Sequence, residues 1–257
     1  RRHDDALELR LVAPESVELV RRAAAVTGHR TVDRPLPSQP YADLSGGWEA
    51  YRRTLSKNRR KDVRRRTRRL EAHGTIGFRV EDGRTDLDRL YDVFVRLEDS
   101  GWKGQRGSAI ASRPAWRRFY YEVSAWAASR GMLRLVFLDL DDRPLAADLA
   151  VVHGGTWYAL KGGYDPAYRD YAPGLLSLYR TVEHACELGL TRLELLGAPE
   201  RYKLDWTHGM NPRAWLAAYP PTLAGRARYA AVRARERARP LAWRALRAAR
   251  RVRAVAS

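Results

Sequence analysis

The clearest chemical signal in the chain is Tyr164–Leu176, YDPAYRDYAPGLL. This loop of turn-forming residues carries Pro173-Gly174 and runs into a helix with Leu175, Leu178, Tyr179, Val182, Ala185 and Cys186 on one apolar face. Their alternating spacing of three and four is that of a buried helical stripe. Gly189 follows the helix, where a left-handed residue is favoured. A strand-like TWYALKG precedes the loop and TRLELL follows the helix. A strand, a loop and a helix start, in that order, present free N–H groups to an anion such as a phosphate. Pro173 opens a helix without wasting a donor, and Gly174 lets a ligand approach the backbone. The competing reading is a plain connection between two elements.

The elements around this loop follow from periodicity. Residues 76–80 (IGFRV) predict a strand. DLDRLYDVFVRLEDSG predicts a helix buried through Leu87, Leu90, Phe94 and Leu97. After the loop at 102–112, Pro114 opens a second helix, buried through Phe119, Tyr120, Val123, Trp126 and Ala127. MLRLVFLDLD and PLAADLAVVH predict strands joined at Asp141-Asp142-Arg143, and His153-Gly154-Gly155 turns into TWYALKG. Upstream, LELRLV predicts a strand and residues 14–28 an amphipathic helix. Short strands are expected at 30–34 and 41–44, separated by LPSQP. One long helix is expected over 48–72, with Trp48, Tyr51, Leu55, Val63, Thr67 and Leu70 as its stripe. A last strand is expected at Arg213–Tyr219, then a helical tail broken at Pro240.

These elements define four segments: a partial α/β segment at 1–44, the long basic helix at 45–74, the main domain at 75–219 and an Arg-rich helical tail at 220–257. The fold class is α/β (α+β): a mixed, mostly antiparallel sheet flanked by helices. The first segment is too small for a core of its own.

With 257 residues and 45% hydrophobic content, the chain is long and apolar enough for a sizeable core. The single cysteine, Cys186, excludes an internal disulfide and a cysteine metal cluster. It lies on the apolar face of the central helix and reads as a core thiol. The six histidines show no metal-ligand spacing, and no metal is expected. No run of 18 apolar residues spans a membrane. No signal peptide is evident and no Met opens the chain, as expected of a fragment that lost its start. The expected location is cytoplasmic, peripheral to the inner face of the membrane. The net charge is +18, and two segments hold it. Residues 57–69 carry nine Lys/Arg and one Asp, and residues 222–257 carry eleven Arg and one Glu. Each is either a solvated face or an anion-binding surface: for nucleic acid, nucleotide phosphates or an acidic acceptor in the first, for an anionic membrane or acidic partner in the second.

The order β-α-α-β-β-β-α-β with a phosphate-facing helix resembles the GNAT acyltransferase superfamily. Its phosphate loop reads [R/Q]-x-x-G-x-[G/A]. Arg169-Asp170-Tyr171-Ala172-Pro173-Gly174 matches it, with Ala172 in place of the first glycine. SKNRRKDVRRRTRRLE, LEDSGWKGQRGSAI, LKGGYDPAYRDYAPG and YKLDW resemble the CelD-type acetyltransferases of cellulose and exopolysaccharide synthesis over roughly 40–215. The architecture is also similar to the Fem peptidyltransferases, which use aminoacyl-tRNA and normally have two GNAT-like halves, so residues 1–44 would be the remnant of a first half.

The resemblance implies transfer of an acyl group, acetyl above all, from coenzyme A to an amine or hydroxyl of a small-molecule or saccharide acceptor. Acetyl-CoA would set its pyrophosphate on the N–H groups of Tyr171, Ala172, Pro173, Gly174, Leu175 and Leu176 (Pro173 lending only its ring), with Arg169 adding a charge-assisted contact. The strand at 156–162 would splay from 191–196 to admit the pantetheine arm, and a backbone N–H there would hold the oxyanion. The general base stays open among Asp165, Asp148 and Glu98. Asp165 is otherwise a turn residue, Asp148 an ion-pair partner and Glu98 a surface acid. Lys161 and Lys203 stand out among only five Lys against forty-three Arg. A lysine in such a chain suggests a point charge at the site, catalytic for Lys161, donor- or acceptor-binding for Lys203. Trp102, Lys103 and Arg106, with Tyr164, fall where the acceptor would bind, the alternative being a loop anchor. The alternatives to CoA chemistry are a Fem-like transferase whose basic helix holds tRNA, and a basic nucleic-acid module. No recognition motif for a specific nucleic acid is present.

Overall fold

The computed structural model describes residues 6–101, 107 and 109–255, with 240–255 as backbone only. The elements run β1 (Leu7–Val12), α1 (Pro14–Val26), β2 (Arg30–Asp43), α2 (Gly47–Thr54), α3 (Lys57–Glu71), β3 (Ile76–Glu81), α4 (Leu87–Ser100), α5 (Pro114–Ala128), β4 (Leu133–Leu140), β5 (Arg143–His153), β6 (Thr156–Tyr164), α6 (Pro173–Glu187), β7 (Arg192–Glu194), α7 (Arg201–Leu204), β8 (Gly209–Tyr219) and α8 (Leu223–Val255). Short 3-10 turns lie at Ile110–Ser112 and Pro166–Tyr171. Eight strands form a mixed, mostly antiparallel sheet in the order β1-β8-β2-β7-β6-β5-β4-β3. The chain divides into two compact units, residues 39–210 and residues 1–38 with 211–257.

The 39–210 unit is built on β3–β4–β5–β6, antiparallel throughout, with β7 added parallel to β6. Each sheet face carries a core. On one, α6 lies on β4, β5 and β6 and beneath α2 and α3. Leu176, Val182 and Ala185 meet Val136, Leu138, Ala146 and Ala150 there. On the other, α4 sets Leu90, Tyr91, Phe94 and Val95 against Leu133, Leu135, Phe137 and Leu149, and α5 adds Ala127 and Ala128. The second unit pairs β1 with β8 through Leu7↔Ala218 and Leu9↔Leu216. Its small core holds Val32, Trp215, Ala217 and Tyr219, with Tyr229 and Val232 of α8 against it.

Several elements differ from the sequence expectation. The helix over 48–72 is two helices. Leu55 is extended (φ −66°, ψ 136°), and Ser56 caps α3 by accepting the N–H of Arg59 at 3.1 Å. The stripe itself holds, since Tyr51, Leu55, Val63 and Leu70 are all buried. The two short strands at 30–34 and 41–44 are one strand through Pro35, Pro37 and Pro40, because a proline holds the residue before it extended. β7 stops at Glu194, where the expected strand continued to 196, because Leu196 (φ 44°) and Gly197 (φ 65°) turn the chain. β8 begins at Gly209 rather than Arg213. α8 runs on through Pro240, which removes one ladder donor without ending the helix. On α5, Ala127 is buried as expected, but Phe119 and Trp126, also expected in the core, are 57% and 51% exposed, and Ser124 and Ala128 are buried instead. No helix among the described residues is long and apolar enough to cross a membrane.

Candidate functional site

β6 and β7 share register only over Thr156–Tyr158. Beyond Tyr158, β6 runs on to Tyr164 along β5 while β7 has ended, so the pairing of the two parallel strands stops there. A bulge marks this stretch: Leu149 faces Lys161 but Ala150 faces Ala159, leaving Leu160 as the extra residue. Such bulges re-aim side chains beside sites.

The loop after β6 is shaped by Asp165. Its Oδ1 accepts the N–H of Ala167 at 2.9 Å, capping the 3-10 turn, and its Oδ2 accepts from Arg143 at 2.8 Å. Arg143 also stacks over Tyr168, 5.5 Å from the ring centroid. Both oxygens of Asp165 are therefore engaged in holding the loop. This is the turn-residue alternative. Ala172 then takes a left-handed conformation (φ 51°, ψ 58°) at the position of the motif's first glycine. Its carbonyl receives the N–H groups of Leu175 and Leu176, at 2.9 and 3.2 Å, and its own N–H reaches Arg169 O at 3.0 Å. With Pro173 lacking a donor, Gly174 is left as the N–H of this first turn without a backbone acceptor among the described residues. A Cβ on Gly174 would stand 3.5 Å from the Tyr164 ring. Arg169 is exposed, with Asp170 at 3.7 Å its one acidic neighbour among the described residues. A donor N–H at a helix start, in a loop that also carries an exposed arginine, fits a phosphate group.

The remaining candidates divide between the two sheet faces. Asp148, on β5, is partly exposed among buried neighbours and lies on the α6 face. Its Oδ2 accepts from Ser177 of α6 at 2.7 Å. Its other oxygen lies over Gly162 of β6, where a Cβ would approach it to 1.9 Å, so only glycine admits the carboxylate. Asp148 also acts on Tyr202 of α7. The Tyr202 hydroxyl is pushed up to about 12, first by burial of that end and then by the Glu200 and Asp148 charges, although 56% of the residue is exposed. Lys161 and Glu98 lie on the opposite face. The Lys161 ammonium sits over Tyr120 and Trp116 of α5, at 5.6 and 6.0 Å. Glu98 is not a surface acid; it is 1% exposed and accepts the N–H of Ile110 at 2.7 Å. Lys203 is 8% exposed and donates to Leu196 O and Ala198 O at 2.8 and 3.3 Å, with Glu200 at 3.4 Å. Its three protons anchor the loop after β7. Trp102, Lys103 and Arg106 lie outside the described residues.

Residues 57–204 match the family model described as an acetyltransferase (GNAT) domain, more than half of the chain. The chain belongs to that GNAT family. No curated protein matches the sequence. Among solved structures, FemX is 13% identical with a TM-score of 0.57, over 82% of this chain and 71% of that one. The C-terminal domain of a putative lysylphosphatidylglycerol synthetase from Agrobacterium fabrum is 14% identical with a TM-score of 0.52, over 88% and 71%. L-PGS from Bacillus licheniformis is 11% identical with a TM-score of 0.54, over 82% and 66%. At these identities the likeness is one of fold.

Within the GNAT domain the structure adds residues that sequence reasoning passed over. Arg66 donates to Asp170 O at 2.9 Å, Arg69 stacks over Tyr171 at 5.2 Å, and the Tyr171 hydroxyl meets His73 Nε2 at 2.7 Å. These contacts dock α3 on the loop that precedes α6. The exposed side of α3 bears an open cleft of about 370 Å³ lined by Lys61, Arg64, Arg65, Arg68 and Arg69. Lys61, Arg64 and Arg68 have no acidic partner among the described residues. Nothing in a run of arginines singles out Arg66. Ser177, in contrast, was legible as a polar residue inside an apolar helix.

Proposed function

We propose that the chain transfers an acyl group from an aminoacyl-tRNA to an amine or hydroxyl acceptor, in the manner of the Fem peptidyltransferases. The carrying observation is that the basic face of α3 is fastened to the loop at 165–172 by Arg66 and Arg69. The cations from Lys61 to Arg69 span about 12 Å of helix, a track for a polyanion rather than for one pyrophosphate. The fold shared with FemX, and with synthetases named for an aminoacylated lipid, supports this reading over CoA chemistry.

In this reading Gly174 N–H and Arg169 hold a phosphate of the carrier, and the acyl end lies along β6 beyond Tyr158. The acceptor attacks the acyl carbon and the ester bond to the carrier breaks. Asp148 takes the acceptor's proton and returns it to the departing hydroxyl. Tyr202 stays protonated at neutral pH and serves as a neutral hydrogen-bond donor beside it.

The second reading keeps acyl-CoA as donor. The R-x-x-A-x-G loop and the parting of β6 from β7 favour it. A CelD-type acetyl transfer to a sugar of a polysaccharide precursor belongs to this reading.

Titrating the full chain with aminoacylated tRNA and with acetyl-CoA, at low and moderate salt, separates the two. The expected result is tRNA binding that weakens steeply with salt and is not displaced by acetyl-CoA. Saturable acetyl-CoA binding without tRNA affinity would overturn the proposal in favour of the second reading.

A further inference from the structure

α5 buries one sector and leaves an apolar stripe beside it uncovered. Trp116, Phe119, Val123 and Trp126 are spaced three, four and three apart, and Arg130 continues the stripe one step on. Trp116 is 36% exposed, Phe119 57% and Trp126 51%. Three large aromatics in line on one exposed helix face make a contiguous patch, which calls for an occupant where single exposed aromatics would not.

The charges around the patch identify that occupant. Arg113 lies over the Trp116 ring at 4.6 Å and Arg130 over the Trp126 ring at 4.9 Å. Neither has an acidic partner among the described residues. The one acid of the helix, Glu122, is paired with Arg118 at 2.7 Å. Indole and phenyl rings flanked by uncompensated guanidinium groups match the headgroup layer of a bilayer with negative lipids. The rings sit among the headgroups and the arginines meet phosphates.

We infer that α5 docks the protein on an anionic bilayer surface through Trp116, Phe119 and Trp126. This holds whichever acyl donor the site takes. Trp116 also faces Lys161 of β6, at 6.0 Å, so docking sets the α5 side of that strand next to the lipid headgroups.

The test uses the full chain with vesicles of phosphatidylcholine alone and of phosphatidylcholine with about a third phosphatidylglycerol. Wild type is expected to co-sediment with the anionic vesicles, and brominated lipid is expected to quench its tryptophan fluorescence. The double variant Phe119→Ser/Trp126→Ser keeps every charge of the protein, including α3 and the tail. It should bind at least about tenfold more weakly, the factor that burying two aromatic side chains supplies. Phe119→Leu/Trp126→Leu should retain binding, which guards against a folding artefact. Undiminished vesicle binding by the serine variant overturns the inference, since docking then rests on charge elsewhere. So does failure of wild type to bind either vesicle, as expected if an acidic protein covers the face. A wild-type dimer that the serine variant abolishes, with no vesicle binding, assigns the face to a second copy and overturns it equally.

Discussion

In the proposed reaction two carboxylates are candidates to take the acceptor's proton, and their surroundings separate them. Asp165 caps a turn with one oxygen and pairs with Arg143 through the other. Asp148 is seated over Gly162 with Ser177 as its donor, on the strand beside the parting of β6 and β7. Asp148→Asn should therefore lower kcat by about 10²–10⁴-fold while leaving donor affinity unchanged, as loss of a base does. Asp165→Ala should do the reverse. It should weaken donor binding by about fivefold, the scale of a lost cap worth about 1 kcal/mol, with turnover at saturation near normal. Steady-state kinetics with a direct donor titration check both. Ala172 supplies a second test. It holds a left-handed backbone that costs a residue with a Cβ about 1 kcal/mol and glycine very little. Ala172→Gly should raise the midpoint of thermal unfolding by a few degrees and leave donor binding intact. Cys186 is excluded as a nucleophile by its setting. Burial first, then Glu187 and Glu183, push its thiol up to about 11. At pH 8 it is almost wholly protonated, and iodoacetamide should modify it at least about a hundredfold more slowly than an exposed thiol near 8.5.

At the scale of elements, α3 is held at both ends of its site-facing side. Arg59 forms an ion pair with Asp205 and stacks over Trp206 at 5.5 Å, while Arg66 reaches the carbonyl of Asp170. The YKLDW segment thus serves as a clamp: Lys203 closes its own loop, Trp206 is buried, and the Tyr51 hydroxyl donates to Trp206 O at 2.9 Å. This separates two sets of cations. Lys61→Glu/Arg64→Glu/Arg68→Glu alters only exposed charge and should reduce tRNA affinity and its salt dependence together, without changing stability. Arg66→Ala removes a contact to the proposed donor loop and should weaken donor binding even at high salt. The same elements show what periodicity reveals. The apolar stripe of residues 48–70 was legible, since spacing records burial. The break at Ser56 was carried by one capping serine that the stripe concealed. α6 was read with a single buried face, but the sheet and α2 with α3 cover it from two sides, so Ser177 and Thr181 are buried beside Leu176 and Val182. On α5 two apolar sectors lie side by side, and spacing cannot say which of them the core takes.

At the scale of the molecule, the site residues and the basic helix all belong to the 39–210 unit, which also holds the whole family match at 57–204. Both large cores lie within it, from Ala42 to Trp206 on one sheet face and from Leu90 to Leu149 on the other. The other unit has its own small core around Val32, Trp215 and Tyr219. A unit with a complete core and the whole of the proposed donor loop has what it needs to fold and, in that reading, to bind. Residues 39–210 expressed alone should therefore melt cooperatively and bind the donor within a few-fold of the full chain. They keep the nine cations of 57–69 and lose the eleven arginines of the tail. The measurement is a thermal melt followed by circular dichroism, paired with the donor titration. A fragment that melts cooperatively but fails to bind would make residues outside 39–210 part of the donor site. A fragment that does not fold would show that the strands crossing positions 38 and 210 must be whole for either unit to form.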